Sequence, residues 1–198
     1  MLVSAIYSGA SYGCEATYVS ESHLQHLSSF AVDTLYGDAP RRCNDCVFNM
    51  SACEFDPFAE ICIRRVACLR RMLSKTAWLA SSVSDVISIY LMQGFPGTVP
   101  NLWDGPIPTS PHIGDTTRRD WNDRFHSYGP IGFLLHSLGH FGLALSPDLF
   151  LHERHEVPSS VLYMPIQYIK PWVRGSIVRA RSRFAAKRTC LTDVVEID

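Results

Sequence analysis

The sequence lacks the short signatures that mark most phosphate, dinucleotide and acyl chemistry. Its 198 residues contain no Asp-Asp pair, no G-x-G-x-x-G, no P-loop and no G-x-S-x-G. Paired carboxylates clamp metal ions for in-line attack on a phosphate, and glycine-rich turns bring backbone N–H groups to phosphate oxygens. A nucleotide-binding loop and a serine-hydrolase elbow are therefore excluded as expectations. Charge of either sign is not in excess: 18 Lys and Arg face 19 Asp and Glu, a formal net charge of −1. Any basic surface must then be local. Long apolar runs are missing too, since TAWLASSVSDVISIYLMQGF is broken by Asp85 and four serines, which suits a buried helix and not a membrane span. The N-terminal MLVSAIYSGASYGCEA has no basic residue, so no secretory leader is expected, and the protein is read as intracellular. Seven cysteines at irregular spacing do not make a closed disulfide framework; reduced thiols packed as small hydrophobes are expected.

What is present is mostly helical patterning. Ser20 and its neighbours cap a run in which Leu24, Leu27, Phe30, Ala31 and Leu35 recur at helical spacing up to Gly37. A short helix is expected before Tyr12-Gly13, and another from Pro40 through Cys43, Cys46, Val47 and Met50. Asp56-Pro57 is a cap followed by a first-turn proline, and Phe58, Ile61, Val66, Leu69, Met72 and Leu73 continue the period. A further helix is expected over 77–92. Residues 94–130 hold six of the twelve prolines and five of the twelve glycines, which predicts a loop between a helical region at 1–93 and a second small helical subdomain at 131–198. Within the latter, PIGFLLHSLGHFGLAL is read as one buried helix, VLYMPI as an extended piece and Ile169 to Arg188 as a closing helix.

Metal-binding patterns are incomplete. Cys43 and Cys46 form a C-x-x-C with Cys53 nearby but no second pair, so buried thiols are the better reading than zinc. His136 and His140 share a helix face at i, i+4, but Ser-Leu-Gly between them offers no general-base glutamate. Structural histidines are expected, with no metal and no cofactor. Asn49-Met50-Ser51 matches a glycosylation sequon, to which no role is given. The basic residues are more informative: Arg64, Arg65, Arg70, Arg71 and Lys75 load one helix, and Lys170, Arg174, Arg179, Arg181, Arg183, Lys187 and Arg188 load the closing one. Arg179, Arg183 and Lys187 fall at i, i+4, i+8, a face that suits a phosphate backbone, an acidic partner or simply water.

The segment YGCEATYVSESHLQHLSSFAVDTLYG, residues 12–37, resembles the region just after the catalytic palm of non-LTR retrotransposon reverse transcriptases. There a turn of the form L-Y-G-x-E, matched by Tyr12, Gly13 and Glu15, precedes a helix whose pattern is matched by Leu24, Leu27, Leu35 and Gly37. RRCNDCVFNM and FDPFAEICIRRVACLRRMLSK are similar to the continuation of such proteins. The order of these motifs over about residues 5–75 carries the likeness, and 129–198 is similar in character to a later part.

The resemblance implies a mostly α, thumb-like bundle that packs against an RNA or RNA–DNA primer-template duplex, together with the palm and fingers of a parent polymerase. The Y/F-x-D-D turn of the family has no counterpart here, so the chain is expected to be a catalytically incomplete, non-enzymatic piece or remnant of an RNA-directed DNA polymerase. The residues expected to contact nucleic acid are Arg64, Arg65, Arg70, Arg71, Lys75, Lys170, Arg174, Arg179, Arg183 and Lys187. The alternative is a helical module that binds protein through an apolar groove; neither reading calls for a membrane.

Overall fold

The computed structural model describes residues 12–37, 44–92, 128–153 and 157–192, with side chains to Ser182 in the last segment. Among them the chain forms six helices and a three-stranded sheet: α1 (Glu21–Tyr36), α2 (Asn44–Met50), α3 (Pro57–Lys75), α4 (Leu79–Met92), α5 (Gly129–His140), β1 (Ala144–Leu145), β2 (Phe150–His152), β3 (Ser159–Ser160) and α6 (Ile166–Thr192). The fold is mostly α. The helix expected over 2–10, Pro40, Cys43 and nearly all of the proline-rich loop lie outside the described residues.

The helix starts follow local chemistry. Ser20 accepts the His23 N–H at the start of α1, and Gly37 ends that helix at φ 74°, a conformation open to glycine. Asp56 Oδ1 accepts the Phe58 N–H at 3.0 Å and Pro57 occupies the first turn of α3.

α3 is the central helix. Cys62, Ile63, Val66, Ala67 and Leu73 on it share one buried cluster with Val83 and Ile87 of α4, Leu134 and Leu138 of α5, and Ile169, Val173 and Ile177 of α6. Helices from both sides of the expected loop therefore build the same core. α3 and α6 run antiparallel along their length: Asp56 meets Arg181, Glu60 meets Arg174, and Arg70 meets Met164.

Two expectations in the C-terminal part are corrected. PIGFLLHSLGHFGLAL is not one helix, because Gly142 adopts φ 65° and the chain closes on itself there. Gly142 N–H donates to Gly139 O, Leu143 N–H donates to Leu138 O, and Leu138 and Leu143 are buried together, which is a Schellman stop. The chain then forms β1, turns through Ser146-Pro147-Asp148-Leu149 and returns as β2, with Leu145 opposite Leu151. Leu149 takes the left-handed conformation of the hairpin, at φ 60°. VLYMPI is not a strand; β3 precedes it and pairs with β2, and a turn follows into α6. α6 begins at Ile166, ahead of the expected Ile169, with Pro171 inside it.

Candidate nucleic-acid interface

The ten candidate basic residues do not form one surface. Arg65 is buried at 6 % exposure and bonded on every side. Its Nε donates to Cys14 O, its Nη2 to Thr17 O and its Nη1 to Phe133 O, each at 2.9 Å, and Nη1 also reaches Ser137 Oγ. The guanidinium lies 5.6 Å from the Phe133 ring centroid. A planar fork of five donors suits this task, since it satisfies several fixed acceptors at once. It ties the Gly13 turn to α5. Arg65 therefore faces the interior, away from any ligand.

Arg70, half-buried, donates from Nε to Met164 O at 2.7 Å and joins the last turns of α3 to the start of α6. Arg64 is paired with Glu60 at 2.7 Å, one turn earlier on the same helix, and Arg174 approaches the other oxygen of Glu60 at 3.9 Å. Arg179 holds the buried carboxylate of Glu153 with two donors, Nε to Oε1 at 3.1 Å and Nη2 to Oε2 at 2.8 Å. Arg71, Lys75 and Lys170 are exposed. The side chains of Arg183 and Lys187 lie outside the described residues, so the expected face of Arg179, Arg183 and Lys187 is represented by Arg179 alone.

Arg64, Cys68, Arg71 and Lys75 stand at i, i+4, i+7 and i+11 on one side of α3. Lys170 and Arg174 stand one turn apart on the neighbouring α6. The two segments involved, 61–84 and 157–192, contain no Asp or Glu. Among the described residues, Glu60 of the preceding turn pairs with Arg64 and approaches Arg174.

Sequence reasoning missed a second structural arginine. Arg181 Nη2 lies 2.6 Å from Asp56 Oδ2, and both side chains are buried. The Arg181 guanidinium sits 5.6 Å from the Phe48 ring centroid and 5.4 Å from that of Phe141. One carboxylate thus caps α3 through Oδ1 and neutralises α6 through Oδ2. The Asp56 cap was legible; its second oxygen had no sequence signal.

His140 stacks on Phe58 with centroids 4.5 Å apart, and burial, with Arg65 nearby as a lesser cause, pushes the His136 imidazole down to about 4. Burial pushes the Cys14 thiol up to about 11 and the Cys62 thiol up to about 12, which keeps both protonated and inert. Cys46 is exposed and Cys53 is buried. Among the described residues no group of three or more His, Cys, Asp or Glu could hold a metal ion, and no helix is long and apolar enough to cross a membrane. No family model matches the chain, and neither a curated protein nor a solved structure matches it.

Proposed function

We propose that the chain is a catalytically incomplete, thumb-like part of a retroelement RNA-directed DNA polymerase that holds an RNA–DNA duplex on the basic side of its α3–α6 pair. The supporting observation is the exposed set Arg71, Lys75 and Lys170 on two packed helices whose segments 61–84 and 157–192 carry no acid. Arg64 and Arg174 flank it at partial exposure. An A-like hybrid duplex is recognised by shape and backbone, so rigid helices bearing cations are the appropriate chemistry.

The test is hybrid binding by the full chain across a salt series. Each phosphate contact contributes about 0.9 to the slope of log K against log salt on a duplex. Replacing Arg71, Lys75 and Lys170 together by Gln is expected to make that slope shallower by roughly 2 to 3 and to weaken binding at low salt. An unchanged slope, or no hybrid binding by the unsubstituted chain, overturns the reading. Salt-insensitive association with a protein partner instead would favour a helical interaction module.

A further inference from the structure

We propose that the end of the α3–α6 pair, where α3 stops and α6 starts, is a site for single-stranded nucleic acid in which exposed aromatic rings stack on unpaired bases. This inference rests on the nucleic-acid reading above and adds to it the kind of strand bound. Three large aromatic side chains on the segments that meet at this end are exposed: Trp78 at 73 %, Tyr163 at 79 % and Tyr168 at 56 %. Trp78 lies in the turn that follows the Thr76 cap of α3, and the Leu79 N–H to Thr76 O bond fixes that turn. Tyr163 adjoins Met164, whose carbonyl is held by Arg70 from the last turns of α3. Tyr168 lies in the first turn of α6, where its N–H donates to Pro165 O.

The cations of the same end are Arg71 and Lys75 in the last turns of α3 and Lys170 in the first turns of α6. Rings and cations carried by the same acid-free segments complement a strand that offers both phosphates and open base faces. In a duplex those faces are covered by neighbouring base pairs, so exposed rings gain little from it; a single strand supplies them, and any base serves because every base has a π-face. A membrane surface also attracts basic and aromatic groups, but it is met by one helix with an apolar face running along it. Here the rings are spread over a turn, a connection and a helix start, a distribution that fits a flexible strand better than a plane.

The test measures binding of the full chain to three probes: a labelled oligouridylate, a blunt RNA–DNA hybrid, and vesicles of phosphatidylcholine with phosphatidylserine. The variants are Trp78→Leu, Tyr163→Leu and Tyr168→Leu, singly and combined, each checked for an unchanged unfolding midpoint. The combined variant is expected to weaken oligouridylate binding by about tenfold or more while hybrid binding changes by less than about twofold. Oligouridylate binding that ignores the aromatic variants overturns the inference and leaves the duplex reading standing if hybrid binding persists. Loss of oligouridylate binding in a chain that never binds the hybrid upholds this site and overturns the duplex reading. No binding to either nucleic acid, or aromatic-dependent binding to vesicles alone, overturns both.

Discussion

The two ends of the α3–α6 pair place basic side chains in opposite settings. At the end where α3 begins, Arg181 is enclosed by Asp56 and two phenylalanine rings, and its charge holds α2, α3, the turn after α5 and α6 together. At the end where α3 stops, Arg71, Lys75 and Lys170 stand in water on segments without acids. The difference lies in what the neighbouring element presents. Near the start of α3 it is a buried carboxylate; near its end it is a backbone carbonyl, that of Met164, which Arg70 takes. The cations beyond that point, Arg71 and Lys75, are exposed. A basic helix is thus divided along its length into cations that hold the fold and cations that leave it undisturbed, and substitution should separate them by stability.

The largest effect is expected at the buried pair. Arg181→Met strands the Asp56 carboxylate inside the protein, and breaking one partner of a buried pair costs about 3–5 kcal/mol. Asp56→Asn together with Arg181→Met removes both charges while keeping an acceptor for the Phe58 N–H, and should recover part of that loss. Urea unfolding of the two single variants and the double variant measures the coupling. Additive losses would show that the two side chains do not act as a pair, and the contrast between the two ends would collapse.

Arg65→Lys should come next, at about 2–3 kcal/mol. The ammonium keeps the charge but is a compact point donor that cannot span Cys14 O, Thr17 O, Phe133 O and Ser137 Oγ. Denaturant midpoints check it, and a loss below about 0.5 kcal/mol would mean that charge alone suffices there.

How much of this was legible follows from the range over which each signal acts. Ser20, Asp56-Pro57 and Gly37 announce their helix ends because a cap is settled within a few residues. The stop at Phe141-Gly142-Leu143 was equally local, yet the apolar run continuing to Leu145 concealed it. Strands of two or three residues are too short for alternation to show, so the sheet had no periodic signature. Arg65 and Arg181 were indistinguishable from their exposed neighbours in sequence, because their acceptors come from segments far along the chain. For the candidate site, composition located the two basic helices, and only the packing showed which cations remain at the surface.

His136 gives the comparison a pH axis. Its imidazole, pushed down to about 4 chiefly by burial, is neutral in the folded chain, whereas an unfolded histidine titrates near 6.5. A depressed folded value means that its contribution is fully present above about pH 6.5, falls as the pH drops towards 4, and changes no further below that. The loss should amount to roughly 2 kcal/mol, less than the whole shift because the ring retains some contact with solvent. His136→Gln should flatten stability between those limits; a profile unaltered by the substitution would place the acid sensitivity elsewhere.

The smallest effects should separate partnered from unpartnered surface cations. Arg179→Ala removes two donors from the buried Glu153 carboxylate, although Arg179 itself is half-exposed, so a loss of about 1 kcal/mol is expected. Arg71→Gln, Lys75→Gln and Lys170→Gln should each stay within about 0.5 kcal/mol of the parent, because an exposed cation with no ion-pair partner among the described residues gains little from folding. Thermal or urea unfolding of these four variants on one scale decides the point. A loss near that of Arg179→Ala at Lys75 or Lys170 would mean that these side chains also serve the fold, and their exposure could no longer be taken as the mark of a binding surface. Stability left intact, combined with a reduced salt slope on the hybrid, would separate the two uses of basic charge within one pair of helices.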